Sequence, residues 1–509
     1  MKVPLYPFQE EGVREIERRG GRALLADEVG MGKSIQVLSY LERDRAARLP
    51  ALIVCPGSLR VNWWREANSK ADLPAVILSP KSTLTSIKKT GAECLEASGW
   101  APHVGGSGIV IANYETLTKE LDRLTGFRTL VLDEAHAVKD ESSKRSEAAL
   151  RMARACANVI LLTGTPFMNR PRDVWHLGQV VKAGRGGWPS FWEFGQRYCG
   201  AYQQRIWVKE NGVAKQRLIW NFDGASNLDE LNGVLVRNCM IRRTKAEVGL
   251  QLPEKIRMTV PLAMGDSRAF DEAMKRLRTV VLERKRWKEN TANLGAAEYE
   301  AEAARHAEKA SRTSKLKTRE RRENDSEHTI LGEISEMRKQ VALAKVPAAV
   351  EYIANLAKSD QVVVFAHHHE VINQLRAGLG KLDVLVDSID GRDGPAVRQE
   401  RIDRFQKGEL CVLILGILAA GTGLTLTKSA TSVFAELPWR PGDLEQATGR
   451  IHRIGQKRGV TEHILIAAGT IEEQIAKMLD AKREVTAVAA GNADLVASEE
   501  SILEAVMNF

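Results

Sequence analysis

Two short segments carry the side chains best suited to chemistry. The first, at residues 27–34, reads DEVGMGKS and lies between an apolar run (Ala23–Ala26) and a helical pattern (Ser34–Leu41). Backbone N–H groups of such a glycine-rich loop can surround phosphate oxygens, and the N-terminus of the next helix adds its positive end. We therefore expect Lys33 to reach the β- and γ-phosphates of a nucleotide, and the hydroxyl of Ser34 to bind Mg²⁺.

The second segment reads DEAH and follows the apolar run Leu130–Leu132. Its carboxylates therefore stand at the carboxyl end of a strand, where open α/β sheets bind their ligands. We expect Asp133 to hold Mg²⁺ and Glu134 to orient or deprotonate the attacking water. Gly-Lys-Ser alone is also compatible with an ordinary turn before a helix, and Asp27 stands where the general G-x-x-x-x-G-K-[ST] pattern has its first glycine. Together the two segments predict a nucleoside triphosphatase.

The elements that must position these residues follow from the apolar pattern. In residues 1–260, short apolar runs alternate with polar or amphipathic stretches, which predicts a parallel sheet covered by helices. Residues 261–346 are rich in charges of both signs and predict a helical insertion. The alternating pattern returns in residues 347–470 without a second phosphate loop, and residues 471–509 leave room for a bracing helix and a short tail. The expected fold class is α/β, with two parallel-sheet lobes and a nucleotide in the cleft between them. The predicted strands are Ala51–Val54, Val76–Leu78, Ile109–Ala112, Thr129–Leu132, Val159–Leu162, Val362–Ala366, Val384–Val386, Cys411–Gly416, Ser432–Glu436 and His463–Ala467.

The composition narrows the class of protein. A net charge of +9 and a pI near 9.1 indicate a polyanionic partner, although an ordinary basic enzyme has the same balance. The six cysteines lie far apart without a CxxC pair, which argues against a zinc module and gives no indication of a disulfide framework. The sequence shows neither a signal-peptide pattern nor an apolar run long enough for a membrane span. We expect a cytoplasmic, nucleoid-associated protein if the source is prokaryotic or a phage, and a nuclear protein if it is eukaryotic.

Taken in order, the motifs resemble those of superfamily 2 helicases, and more narrowly of Swi/Snf-type ATPases, from about residue 5 to about residue 485. The family's own loop form, D-E-x-G-x-G-K-[ST], accounts for the missing first glycine. FAHH at 365–368 and IDG at 389–391 are similar to members that reverse replication forks and reanneal strands. The other matching strings are LYPFQ at 5–9, CPGSL at 55–59, NYE at 113–115, LLTGTP at 161–166, MIRRTK at 240–245, GTGLTL at 421–426 and QATGRIHRIGQ at 446–456.

The resemblance implies two RecA-like lobes that bind ATP between them. The expected catalytic residues are Lys33 and Glu134 with Arg450 and Arg453, which would share one face of a helix and act as arginine fingers on the γ-phosphoryl group. Such fingers complete a site only when the lobes close, which ties hydrolysis to a domain motion. Gln9 would read the adenine. The full expected nucleotide site comprises Gln9, Asp27, Gly30, Gly32, Lys33, Ser34 and Gln446.

Further motifs imply a nucleic-acid track. The family usually has asparagine at the position of Thr425. The contact that this position makes with a nucleic-acid strand therefore departs from the family pattern. The residues that match strand-contacting motifs are Ser58, Asn62, Tyr114, Thr165, Thr422 and Trp439.

We therefore predict an ATP-dependent double-stranded DNA translocase or remodeller that uses ATP and Mg²⁺. Its expected partner is duplex DNA, including forked or protein-bound duplex, and we expect neither a membrane nor zinc to take part. One alternative is a strand-separating helicase on RNA or single-stranded DNA. Another is a nucleotide-gated adaptor that hydrolyses slowly or not at all.

Overall fold

A computed structural model describes residues 1–99, 108–164, 171–183, 185–210, 213–250, 252–291, 325–417, 424–438, 441–470, 472–473 and 476–477. Its strands form two parallel sheets and one antiparallel hairpin. Each parallel sheet is sandwiched between two buried apolar clusters, since helices cover both of its faces. The predicted α/β class with two parallel-sheet lobes is confirmed.

The first lobe contains eight described strands in the spatial order β10-β1-β7-β6-β2-β5-β3-β4. Apolar strands such as β2 (Ala51–Cys55) are completely buried because both faces are covered. The other strands of this sheet are β1 (Arg22–Leu25), β3 (Ala75–Ser79), β4 (Cys94–Glu96), β5 (Ile109–Asn113), β6 (Thr129–Asp133), β7 (Asn158–Leu162) and β10 (Met240–Ile241). The helices of this lobe are α1 (Pro7–Arg18), α2 (Lys33–Arg43), α3 (Arg45–Arg48), α4 (Arg60–Lys70), α5 (Lys81–Lys88), α6 (Tyr114–Lys119), α7 (Lys144–Ala155), α8 (Pro171–Val181), α9 (Phe191–Tyr198) and α10 (Leu228–Asn238).

The second lobe contains six described strands in the order β11-β16-β15-β12-β14-β13. They are β11 (Lys255–Leu262), β12 (Val362–Ala366), β13 (Val386–Ile389), β14 (Val412–Gly416), β15 (Thr431–Phe434) and β16 (Val460–Ala467). The helices are α11 (Arg268–Thr291), α12 (Asp325–Leu356), α13 (His369–Lys381), α14 (Pro395–Lys407) and α15 (Pro441–Thr448).

Two of the expected domain boundaries fall inside elements of the second lobe. The boundary at residue 260 lies within β11, which pairs in parallel with β16 over its whole length. The boundary at residue 346 lies within α12, which continues through Pro347. The described parts of the charged insertion contribute to the core, because Leu277 of α11 and Met337 of α12 are fully buried in the second lobe. The insertion is thus rooted in that lobe.

The aromatic residues after α8 form a small cluster of their own. Phe194 is 1% exposed and packs against Trp188 and Tyr198, with ring centroids 6.3 and 5.0 Å away. Beside this cluster stands the hairpin of β8 (Tyr202–Glu210) and β9 (Val213–Asn221), which pattern analysis did not predict.

In the part of the chain that the structure describes, no helix combines the length and the apolar character that crossing a bilayer requires. The same residues contain no cluster of three His, Cys, Asp or Glu side chains placed to bind a metal ion.

Candidate active site

The phosphate loop connects the end of β1 to the start of α2. Gly30 and Gly32 have φ angles of +88° and +77°, in the left-handed region that glycine adopts without strain. Gly32 is the residue before α2, so the loop ends at a helix N-terminus, where backbone N–H groups and the helix dipole favour an anion. The local backbone therefore has the form that the motif predicts.

Lys33 folds back onto its own loop. Its Nζ donates to the backbone oxygens of Asp27 at 2.7 Å and Glu28 at 3.4 Å. Burial lowers the pKa of Lys33, and the nearby carboxylates of Glu134, Asp27 and Asp133 act against that shift. Ser34 follows on the first turn of α2. An ammonium and a hydroxyl at the mouth of an N–H-lined loop match the needs of a nucleotide phosphate and its Mg²⁺.

Asp133 is the last residue of β6 and is held by three contacts. Its Oδ2 accepts a hydrogen bond from Nε1 of Trp63 at 2.8 Å, and its Oδ1 accepts one from the backbone N–H of Glu134 at 2.9 Å. Its backbone oxygen accepts a hydrogen bond from the hydroxyl of Tyr114 at 2.7 Å. Burial and the neighbouring carboxylate of Glu134 raise the pKa of Asp133 to about 6. Because these surroundings make the ionised form of the carboxylate unfavourable, a bound cation would stabilise that form.

The backbone of Glu134 lies in the left-handed region, with a φ angle of 51°. Its Oε2 is buried without a hydrogen-bond partner among the described residues, and Nδ1 of His136 lies 3.4 Å from it. Burial raises the pKa of Glu134, but the close imidazole of His136 and the charges of Arg450 and Lys33 outweigh burial and lower it below its ordinary value. Glu134 therefore offers a charged oxygen whose capacity to accept a hydrogen bond is not used by the described residues.

The two arginines come from the second lobe and face the first. Nη2 of Arg450 lies 4.0 Å from Oε1 of Glu134, and burial lowers the pKa of Arg450 to about 10. Arg453 packs on the phosphate loop, because a methyl group on Gly30 would lie 2.9 Å from Cβ of Arg453. The helical placement expected for this pair is wrong: α15 ends at Thr448, and both arginines lie in the turns that follow.

The remaining nucleotide-site candidates have different positions. Gln9 is 3% exposed and donates from Nε2 to the backbone oxygen of Met31 at 3.0 Å, so it touches the phosphate loop. Gln446 is buried on α15. Asp27 is fully buried, and its carboxylate is bonded to Arg243 and Gln36. It supports the loop from inside instead of facing a ligand.

The structure describes three of the six nucleic-acid candidates. Ser58, in a turn after β2, lines a cavity of about 460 Å³ between the lobes. Asn62 is half-buried on α4. Tyr114 is 3% exposed, and its hydroxyl donates to the backbone oxygen of Asp133; its expected contact with a strand stays a prediction. Thr165, Thr422 and Trp439 lie outside the described residues.

Sequence reasoning missed the partners of the loop. Arg243 and Lys245 follow β10 and contact Asp27 and Glu28, respectively. Trp63 is bonded to Asp133, a contact that the sequence did not predict. The sequence did contain a signal for these contacts. The acidic residues Asp27 and Glu28 could be matched with the basic residues Arg243 and Lys245, which are separated by one residue and lie more than two hundred positions later.

Comparison with known proteins gives a consistent result. A family model described as "SNF2-related domain" matches residues 8–342, and one described as "helicase conserved C-terminal domain" matches residues 344–455. The "DNA annealing helicase and endonuclease ZRANB3" of Mus musculus is 33% identical over 497 residues, which are 96% of this chain and 41% of the mouse protein. The "SWI/SNF-related matrix-associated actin-dependent regulator of chromatin subfamily A-like protein 1" of Xenopus tropicalis is 34% identical over 485 residues, which are 94% of this chain and 44% of the frog protein.

The chain thus spans less than half the length of these two relatives. Among solved structures, the "Sulfolobus solfataricus SWI2/SNF2 ATPase core in complex with dsDNA" is 22% identical, with a TM-score of 0.40. The match covers 97% of this chain and 94% of that chain.

Proposed function

This chain belongs to the SNF2-related, or Swi/Snf-type, branch of the superfamily 2 helicases, and we propose that it is an ATP-dependent translocase on double-stranded DNA. The observation that carries the proposal is the meeting of the lobes at one site. Arg450 of the second lobe lies 4.0 Å from Glu134 of the first. A hydrolysis site that needs groups from both lobes is sensitive to how the lobes move, and this is the requirement for a motor.

The nucleotide site would be built mainly on the first lobe. Lys33 would leave the carbonyl oxygen of Asp27, 2.7 Å away, for the phosphates of ATP, and Gln9 would contact the base from beside the loop. Ser34 and Asp133 are the residues that would hold Mg²⁺, which supplies neutralisation of charge on the phosphates. The raised pKa of Asp133 supports this assignment, because a cation would remove the cost of its charge.

Hydrolysis would depend on three side chains that already converge. Glu134 keeps a lowered pKa, so it is charged at neutral pH and can accept a proton from water or orient that water. Arg450 and Arg453 would stabilise the charge that develops on the transferred phosphoryl group. Because both arginines belong to the second lobe, each turnover would involve closing and reopening of the cleft.

Duplex DNA, including forked or protein-bound DNA, is the proposed track. The relatives' names describe a DNA annealing helicase and a regulator of chromatin. The cavity between the lobes is lined by Arg60 and Arg398 with Ser58, but also by Asp390 and Asp393, so its charges are mixed. The net charge of +9 supports binding mainly to phosphates, so binding should be salt-sensitive and weakly sequence-dependent. The protein would act where the DNA is, in the nucleus or at the nucleoid.

The test is ATP turnover by the purified protein without nucleic acid and with plasmid duplex, forked DNA, single-stranded DNA or RNA. We expect duplex or forked DNA to stimulate turnover strongly. In Glu134→Gln, which keeps the shape of the side chain but not its charge, turnover should fall by about 10² to 10⁴ in every condition.

The other outcomes identify the alternatives. Stimulation by RNA or single strands alone would replace the proposal with a strand-separating helicase. Turnover at the level of Glu134→Gln, with or without DNA, would indicate a nucleotide-gated adaptor.

A further inference from the structure

The segment that joins the lobes grips the phosphate loop through two ion pairs. This connector (residues 242–250 and 252–254) runs from β10 to β11. Its Arg243 binds Asp27 with both ends of the guanidinium group, at 2.6 Å from Nη2 to Oδ2 and 3.0 Å from Nε to Oδ1. Two parallel bonds of this kind fix geometry as well as charge. Asp27 is fully buried, so this contact anchors the loop from inside the lobe.

The second ion pair, between Lys245 and Glu28, also involves a contact with the second lobe. The backbone N–H of Lys245 donates to Oε2 of Glu28 at 2.9 Å, and its Nζ lies 3.0 Å from Oε1 of Glu28. The same Nζ donates to the backbone oxygen of His452 at 3.4 Å. The side chain of Lys245 is 14% exposed and that of Glu28 is 34% exposed, so the ion pair is partly shielded from water. One ammonium thus touches the phosphate loop of the first lobe and the arginine-bearing turn of the second.

His452 is also held from the far end of the connector. Its Nε2 donates to the backbone oxygen of Pro253 at 2.9 Å. His452 stands between Arg450 and Arg453 in the chain, so its position constrains both arginines. The turn is therefore tied at two points to a segment whose other end is bonded to the phosphate loop.

We propose that Lys245 is a positioning residue that links the phosphate loop to the arginine-bearing turn and sets the arginines for catalysis. It touches neither Glu134 nor the reacting atoms; it acts through Glu28 and His452. Glu28 supplies the loop's half of this link, and Asp27 anchors the connector beside it through Arg243. The inference rests on the proposed ATP hydrolysis for its first test and is independent of that activity for its second.

The first test measures kcat and the KM for ATP in Lys245→Met, which keeps the aliphatic stem and removes the charge. We expect kcat to fall about tenfold, because a bond between charged groups is lost. The KM should change less than about threefold, because the arginines act in the transition state. Lys245→Arg should restore most of the lost rate.

A double variant shows whether Lys245 works through the arginines. In an Arg450→Ala background, the additional change Lys245→Met should slow turnover by less than about twofold, since residues that act as a unit are not additive. If the two effects multiply instead, or if the loss lies in KM, the inference is wrong.

The matched control is Lys339→Met. Lys339 pairs with Glu336 at 3.2 Å and is 27% exposed, but it belongs to α12 and contacts neither the phosphate loop nor the connector. Its kcat should equal that of the wild type. If Lys245→Met does not fold, Glu28→Gln removes the same charge pair from the other side and should show the same kcat loss.

The second test needs no hydrolysis. Small-angle X-ray scattering of the nucleotide-free protein should give a larger radius of gyration for Lys245→Met than for the wild type and Lys339→Met. Equal radii in all three proteins would contradict the link even if the protein turned over no ATP. Conversely, ATP turnover that DNA does not stimulate would contradict the proposed translocase. The comparison of Lys245→Met with the wild type and Lys339→Met would remain valid in that case.

Discussion

The two lobes share a parallel-sheet architecture but hold their functional side chains differently. In the first lobe, Asp133 ends a strand and is fixed by Trp63 and Tyr114 of the same lobe. In the second lobe, Arg450 and Arg453 lie in turns beyond the end of a helix and pack against the first lobe. The first lobe is therefore preorganised by its own fold, whereas the second contributes groups whose placement depends on the closed arrangement. Under the proposed function, this difference would separate binding of a nucleotide from its hydrolysis.

The largest expected effect comes from removing the second lobe's contribution. Arg450→Ala should reduce ATP turnover by about 10³, the scale of a lost arginine finger. ATP binding, measured by equilibrium titration, should weaken far less, because the loop that binds the phosphates belongs to the first lobe. Arg458→Ala is the control: Arg458 also belongs to the second lobe but pairs with Asp360 at 2.8 Å and is half exposed. Similar losses in both variants would show that the comparison between the lobes is mistaken.

The next largest effect is on the free energy of unfolding, and it comes from the ionisation of Asp133 in the first lobe. The pKa of Asp133 is raised to about 6, so its contribution to stability is present below pH 4 and is lost as the pH rises through about 6. Asp133→Asn cannot ionise. Between pH 4 and 7, its free energy of unfolding should therefore gain about 3 kcal/mol relative to the wild type. Urea unfolding without nucleotide or Mg²⁺ measures this change.

Glu134→Gln provides a control of opposite sign for that experiment. The pKa of Glu134 is lowered, so its contribution to stability is present above the ordinary value and is lost as the pH falls. Relative to the wild type, Glu134→Gln should therefore lose stability as the pH rises. Parallel curves for the two variants would contradict the opposite directions of the two pKa shifts.

A smaller effect is expected from the support of Asp133. Trp63→Phe keeps the buried ring but removes the Nε1 donor that lies 2.8 Å from Oδ2. The loss should cost about 1–3 kcal/mol of unfolding free energy, the range for a bond to a charged group, and less at low pH where Asp133 is neutral. Trp64→Phe, at the half-buried neighbour, is the matched control in urea unfolding. Identical losses at pH 4 and 7 would show that the bond to the carboxylate is not the cause.

The contrast between features held locally and features held by distant parts of the chain explains what the sequence could predict. The phosphate loop and DEAH are short local strings at the ends of apolar runs, so β1, β6 and their functional residues were predictable. The bond between Arg243 and Asp27 joins residues 216 positions apart, and no local pattern predicts which partner a buried charge will find. Family resemblance did indicate the string that contains Arg243, but not its contact.

Two predictions failed for physical reasons. Spacing alone placed Arg450 and Arg453 on a helix, but the helix ends before Gly449, where a side chain would collide with Val29 of the phosphate loop. The lobe boundary at residue 260 missed β11 because this edge strand alternates charged and apolar residues and pairs with a strand about two hundred residues later. For β11, pairing with the distant strand β16 decided the structure.

The smallest expected effect is at the exposed margin of the lobe contact. Nη1 of Arg65 on α4 lies 3.8 Å from Oδ1 of Asp403 on α14, and the side chains are 38% and 48% exposed. A solvent-screened pair of this kind contributes about 0–1 kcal/mol, so Arg65→Ala should change ATP turnover less than about fivefold, and less still at high salt. A loss near that of Arg450→Ala would mean that surface charges hold the lobes together, and that the arginine-bearing turn follows the closure instead of being set by the connector.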